Sequence, residues 1–212
     1  MGSVHLVRHG QASFGSENYD QLSQLGYQQA IALGNAWEAG AWEPTLAIAG
    51  SLERHAQTAI AALDIIEGDG YDVDAGWNEY DHIGISTAID PDALTRDHKA
   101  FQVTLNKALG RWRRGEGEFA ETYEQFTNRV MSAFAAAVER AGQGQRVVVF
   151  TSGGPISLVL SQLLAGDDSL FQTLNDVTIN ASVTTIINGQ TGPRLLTFNE
   201  HTHLPPDMIT FR

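Results

Sequence analysis

Apolar positions along the chain fall into two alternating rhythms. A short run, Val4 to Val7, reads as a buried strand, and Gly10 ends it. Leu22 to Trp37 carries apolar residues at helical spacing and stops near Gly40. Leu46 to Ala49 is a second short strand, and Ser51 is the expected N-cap of a helix carrying Ile60, Leu63 and Ile66, closed by Gly68. Tyr71 to Ala75 reads as an edge strand, Pro91 to Arg114 as a helical, polar insert, and Phe119 to Ala141 as a long amphipathic helix. Arg146 to Thr151 is the clearest buried strand; it passes through Ser152-Gly153-Gly154 into a helix with Pro155 in its first turn, where a missing N–H costs nothing. Ser182 to Ile187 and Arg194 to Phe198 read as a terminal hairpin with Asn188-Gly189 in its turn. Strands alternating with helices predict the α/β class: a three-layer α/β/α sandwich with a mostly parallel central sheet and a helical insertion. We expect residues 1–212 to form one domain, with the insertion at about 83–118 over the sheet edge.

Composition narrows the chemistry. Lys and Arg number 13 against 25 Asp and Glu, a formal charge of −12, so neither nucleic acid nor an anionic membrane is an expected partner. An anionic ligand must be drawn in by a local group of arginines. Cysteine is absent, which removes disulfides, thiolate metal sites and a cysteine nucleophile. No apolar run reaches bilayer length and the first residues do not read as a signal segment, so a cytoplasmic location is expected. Nothing in the composition fixes the oligomeric state.

In sheets of this kind ligands bind beyond the carboxyl ends of the strands, where His9, Ser51 and Ser152 are predicted to fall. Arg8 offers a fork of donors for phosphate oxygens and His9 a nucleophilic nitrogen. Alone, His9 is equally a satisfied histidine in a polar turn. Three segments converge, however: Leu6-Val7-Arg8-His9-Gly10, Ser51-Leu52-Glu53-Arg54-His55-Ala56-Gln57-Thr58-Ala59 and Trp77-Asn78-Glu79-Tyr80. In this order, with a late strand ending at Gly153-Gly154, the chain resembles the histidine phosphatase superfamily, the phosphoglycerate mutase-like proteins. Leu22-Ser23-x-Leu25-Gly26-x-x-Gln29-Ala30 and Phe126-x-x-Arg129-Val130 look like the family's as well.

The resemblance implies a metal-independent phosphatase with no cofactor, acting on a small phosphorylated substrate. His9 matches the histidine that accepts the phosphoryl group, Arg8 and Arg54 the arginines that grip its oxygens, and Glu79 the acid that protonates the leaving group. Phosphoryl transfer spreads charge over the equatorial oxygens, which guanidinium forks stabilise.

One departure stands out. Ser152 occupies the position of the family's second histidine and is, with Gly153, a candidate phosphate-binding residue: its hydroxyl can still donate one hydrogen bond but brings no positive charge. Losing a preorganised donor costs on the order of 10²–10³ in rate, and the amides at Gly153 opening the helix offer partial compensation. Reduced turnover, or a phospho-ligand binding or regulatory role, is therefore the alternative to a phosphatase. A phosphoglycerate-type mutase calls for a larger and more basic pocket. The basic cluster Arg111-Trp112-Arg113-Arg114 is expected to end a solvated helix. Ser13 and Asn18 are candidates for the phosphate contact that family members make just after the nucleophile. His82 and His203 are further candidate auxiliary residues, His203 matching a histidine in the family's closing segment. His55 and His82 are expected to be solvated. No third ligand joins His201-x-His203, so no metal site is predicted.

Overall fold

The structure is a computed structural model that describes residues 1–13, 20–95 and 98–211. It divides into two compact units, Met1–Glu79 with Val130–Arg212, and Tyr80–Arg129.

The first unit is built on six strands: β1 (Gly2–Arg8), β2 (Leu46–Ala49), β3 (Asp72–Val73), β4 (Arg146–Thr151), β5 (Val183–Gly189) and β6 (Gly192–Glu200). They form one sheet in the order β3-β2-β4-β1-β5-β6. β3, β2, β4 and β1 run parallel, and only β5 runs against them, pairing antiparallel with both β1 and β6. The mostly parallel sheet of an α/β fold is thus what the alternating pattern predicts.

The central strands are buried on both faces because helices cover them. α1 (Gln24–Ala39) and α2 (Glu53–Leu63) bring Leu33, Trp37, Ala59 and Ala62 onto Val7, Val148 and Phe150. Leu6, Val147 and Val149 alternate to the other face, where α6 (Gly153–Ala165) packs against β1 and β6 and α7 (Phe171–Val177) packs on α6. Ser23 caps α1 by accepting from the Gly26 N–H at 3.0 Å, and Gly166 closes α6 at φ +77°.

Two local expectations are corrected. α2 begins one residue later than a Ser51 cap requires, with Leu52 as N-cap, because Asp20 supplies the capping oxygen from outside the helix: its Oδ2 accepts the Glu53 N–H at 2.8 Å. The hairpin turns at Gln190-Thr191 rather than at Asn188-Gly189. Gly192, at φ +92°, takes the left-handed position, while the Asn188 side chain donates to the Val138 and Ala141 carbonyls at 2.9 and 3.0 Å.

The second unit holds α3 (His82–Ile89), α4 (His98–Arg113) and the first turns of α5 (Tyr123–Arg140). Its aromatic centre stacks Trp112 with Tyr80, Tyr123 and Phe126, and the Trp112 indole N–H donates to the Glu121 carbonyl at 2.7 Å. Trp112 therefore faces inward, while Arg111 and Arg114 are exposed and Arg114 pairs with Glu116 at 2.7 Å.

His5, on β1, has Ser3 Oγ 2.8 Å from Nε2 and Thr185 Oγ1 3.2 Å from Nδ1, and packs edge-on against Trp42. Burial, helped by the Arg146 charge, pushes its pKa down to about 4 from 6.5. The unfolded chain takes up this proton near pH 6.5 and the folded chain only near 4, so stability present above 6.5 is lost as pH falls through that window. Urea midpoints should drop between pH 7 and 5, and His5→Asn should flatten the slope by at most about 1.4 kcal/mol per pH unit; an unchanged slope would show that His5 titrates alike in both states.

Candidate active site

The register of two strands sets the site. β1 and β4 pair with Arg8 opposite Thr151, so His9 and Ser152 emerge side by side at the carboxyl ends, and the His9 N–H donates to the Thr151 carbonyl at 2.8 Å. Behind them the 10–11 turn lies tight on the start of α1. A Cβ on Gly10 would come within 2.3 Å of the Gly26 carbonyl, and one on Gly26 within 2.2 Å of the Gln11 carbonyl, so both positions need glycine. Thr58 Oγ1 accepts the Gly10 N–H at 3.1 Å and Gln29 Oε1 the Gln11 N–H at 2.8 Å. Asn180 holds the His9 carbonyl at 3.1 Å.

His9 is 6% exposed. Its Nδ1 lies 2.7 Å from the Gly10 carbonyl, which can only accept; the proton is therefore on Nδ1 and Nε2 presents a lone pair. Arg54 Nε donates to that Nε2 at 3.2 Å. Burial holds the His9 pKa well below 6.5, the charges of Arg54 and Arg8 and the neighbouring His55 push the same way, and the Gly10 carbonyl opposes them. The ring is neutral and nucleophilic.

Arg54 is 7% exposed and is tied by Nη1 to Asp20 Oδ1 at 2.5 Å. Asp20 thus serves twice, capping α2 and orienting the arginine that α2 carries. The segment bearing Asp20 is fixed in turn: Gln57 Oε1 accepts the Leu22 N–H at 2.8 Å, and Ser13 Oγ donates to the Leu22 carbonyl at 2.9 Å. Arg8 donates through Nη1 to the carbonyls of Thr178 and Phe211, the latter at 3.0 Å. Its Nε lies 3.7 Å from where a Cβ on Gly153 would stand, so the guanidinium runs beside the first turn of α6.

Glu79 reaches the same helix start, its Oε2 accepting the Gly154 N–H at 3.1 Å. The turn before it is pinned at two points. Thr151 Oγ1 donates to the Trp77 carbonyl at 2.6 Å, and Asn78 exchanges two 2.8 Å bonds with Ser51.

His55 overturns the expectation that it is solvated. It is fully buried, its ring centroid is 5.7 Å from that of His9, and its Nε2 is 2.7 Å from Ser152 Oγ. The signal was in the helical spacing: His55, Ala59 and Ala62 stand at i, i+4 and i+7, on the buried stripe of α2. Ser152, also fully buried, sets its Oγ against this ring. His203 lies at one remove; its Nε2 is 3.0 Å from the Ala181 carbonyl, and the Ala181 N–H reaches the carbonyls of Arg8 and His9. His82 is half-buried at the start of α3 in the other unit. Asn18 lies outside the described residues. Asp20 and Asn180 are site-building residues that sequence reasoning does not single out, and Gln29 and Asn78 stand in the matched segments without a role assigned to them, since side chains that only hold backbone leave no spacing signature. Among the described residues no group of three or more His, Asp or Glu is placed to hold a metal, and no helix is long and apolar enough to cross a membrane.

The family profile described as histidine phosphatase superfamily (branch 1) matches residues 4–201. The chain belongs to this superfamily. Solved structures of phosphatases and of a phosphoglycerate mutase superpose along its length. A phosphoserine phosphatase variant from Entamoeba histolytica, in complex with phosphoserine, is 15% identical with a TM-score of 0.68, covering 97% of this chain and 100% of its own. The phosphoglycerate mutase of Bacillus anthracis is 17% identical with a TM-score of 0.64, covering 95% and 94%. A mycobacterial glucosyl-3-phosphoglycerate phosphatase complexed with VO3 is 21% identical with a TM-score of 0.64, covering 94% and 100%. At these identities the likeness is one of fold. No curated protein matches the chain.

Two measurements check this geometry. Asp20→Ala should destabilise the protein by about 1 kcal/mol through the lost cap, whereas Asp20→Asn, itself a good cap, should cost less in thermal unfolding; equal costs would assign the effect to the ion pair. In ligand-free protein the His9 ring should remain neutral at pH 6 by heteronuclear NMR, and a titration midpoint at 6.5 would contradict the burial-driven shift.

Proposed function

We propose that this superfamily member is a phosphatase that hydrolyses a small phosphomonoester through a phosphohistidine on His9. The observation that carries the reading is the His9 imidazole itself: neutral, its Nδ1 proton committed to the Gly10 carbonyl, its Nε2 lone pair aimed at the Arg54 guanidinium. An imidazole so arranged is a nucleophile facing the group that would hold an anion.

In the first step Nε2 attacks phosphorus and the bond from phosphorus to the ester oxygen breaks. Arg8 and Arg54 balance the charge on the equatorial oxygens, and Glu79 gives its proton to the departing oxygen. Water then attacks the phosphohistidine, Glu79 takes a proton from it, and the bond from Nε2 to phosphorus breaks to release inorganic phosphate. The two guanidinium groups supply the positive charge, so the scheme calls for neither metal nor cofactor. The phosphatase and mutase among the structural neighbours work on small phosphorylated compounds by their names, phosphoserine and phosphoglycerate, and a ligand of that class in the cytoplasm suits this site.

A second reading has an observation of its own. Arg8 Nη1 is bonded to two backbone carbonyls, and Ser152 adds no charge, which favours a site that holds a phosphorylated ligand with little turnover. Steady-state hydrolysis of an aryl phosphate separates the two. The phosphatase reading expects measurable activity in the wild type, reduced at least about 10³-fold in His9→Ala. Equal inertness of both proteins over a panel of phosphomonoesters, with inorganic phosphate still bound, would leave the binding role.

A further inference from the structure

His55 and Ser152 form a hydrogen-bonded pair beside the nucleophile, and no role so far accounts for His55 or for the pairing. Both are fully buried, one on α2 immediately after Arg54, the other at the N-cap of α6 immediately before Gly153. Their 2.7 Å bond joins His55 Nε2 to Ser152 Oγ, and the direction of that bond decides what the serine can do.

His55 carries one ring proton, since burial and the adjacent Arg54 charge hold its pKa well below 6.5. Its Nδ1 is buried without a hydrogen-bond partner. On that side lie Gly50, where a Cβ would stand 2.2 Å from Nδ1, and the Asn78 side chain, whose Oδ1 accepts the Ser51 N–H; neither makes a hydrogen bond to the ring. A proton on Nδ1 would be an orphaned buried N–H, among the costliest polar defects a fold can hold; an unfilled lone pair there costs less. The proton therefore belongs on Nε2, and His55 donates to Ser152 Oγ.

The serine proton must then point elsewhere. Ser152 stands at an N-cap, yet its side chain makes no capping bond, and among the described residues His55 is the only partner recorded for its hydroxyl. Its neighbour across the strand ends is His9, and the His55 ring lies 5.7 Å from the His9 ring. A buried O–H with no acceptor among the described residues, next to His9 and the arginine-flanked start of α6, is fitted to meet an anion.

We infer that Ser152 Oγ–H is a donor to a phosphoryl oxygen bound at His9, and that His55 is the positioning residue that aims it by donating to the same oxygen atom. The inference rests on the reading of this site as a phosphoryl pocket. It also gives the imidazole missing from position 152 a counterpart at position 55, acting through the serine rather than directly.

Titrations of the full chain with orthovanadate, which takes up the five-coordinate geometry, and with inorganic phosphate test it. Ser152→Ala should weaken vanadate about tenfold or more, and phosphate less. His55→Phe should match Ser152→Ala, the double variant should be no weaker than either single one, and His55→Gln, which keeps an N–H donor, should recover part of the loss. Thermal midpoints measured alongside separate packing from aiming: a purely structural pair would lower the midpoint while leaving the vanadate-to-phosphate ratio as in wild type, which overturns the inference. Additive losses overturn it as well. Should the His55 variants not fold, Ser152→Ala against wild type decides by itself. If wild type retains His9-dependent hydrolysis and Ser152→Ala binds vanadate normally, this inference alone has failed. If wild type neither hydrolyses an aryl phosphate nor binds vanadate, the phosphoryl-pocket reading has failed and takes this one with it.

Discussion

Everything at this site hangs on the pairing of β1 with β4. Two parallel strands distant in sequence end at the same level, because the ladder runs in register up to Arg8 and Thr151. One further backbone bond, from the His9 amide to the Thr151 carbonyl, carries that register past the last paired residues. Position 9 and position 152 are thereby fixed relative to one another by backbone geometry, before any side chain is considered. A slip of one residue would exchange the faces of every side chain on the strand. The buried valines of β4 and the apolar residues of β1 forbid it.

Around that pair the chain uses side chains mainly to fix backbone. Thr58 and Gln29 hold the turn after His9, Asn78 and Thr151 hold the turn before Glu79, and Asp20 holds the start of α2. Apart from Asn78, which lies in its own turn and reaches out to Ser51, each of these groups acts from an element other than the one it steadies. The catalytic candidates therefore inherit their orientation from a mesh of largely neutral donors and acceptors, with the close ion pair of Arg54 and Asp20 inside it. Burial then does the electrostatic work, since removing water from His9 and His55 keeps both rings uncharged beside an arginine.

Much of this was legible in the chain. The strand and helix rhythms gave the layered sheet, and Arg8, His9, Arg54 and Glu79 announce themselves through motif order. What escaped is of two kinds. His55 was hidden because a histidine next to an arginine reads as polar surface unless its helical spacing with Ala59 and Ala62 is weighed first. Asp20 was hidden because a cap donated from a distant loop has no local signature; Ser51 was the nearer and more obvious choice. The turn at Gln190-Thr191 shows the same thing, for Asn188 was drawn away by the carbonyls ending α5, a demand that lies about fifty residues off in sequence.

The bond from Arg54 Nε to the His9 lone pair has a bearing on affinity. On the proposed function, a phosphorylated ligand arriving here would not fill a bare socket; it would first have to separate a pair of groups that already satisfy each other. What a titration reports is then an exchange, the new contacts less the old one, so ground-state affinity stays modest even where the individual contacts are strong. Interactions that mature only as phosphorus becomes five-coordinate carry no such deduction. For the phosphatase proposed above, a self-satisfied resting pocket would favour turnover over retention.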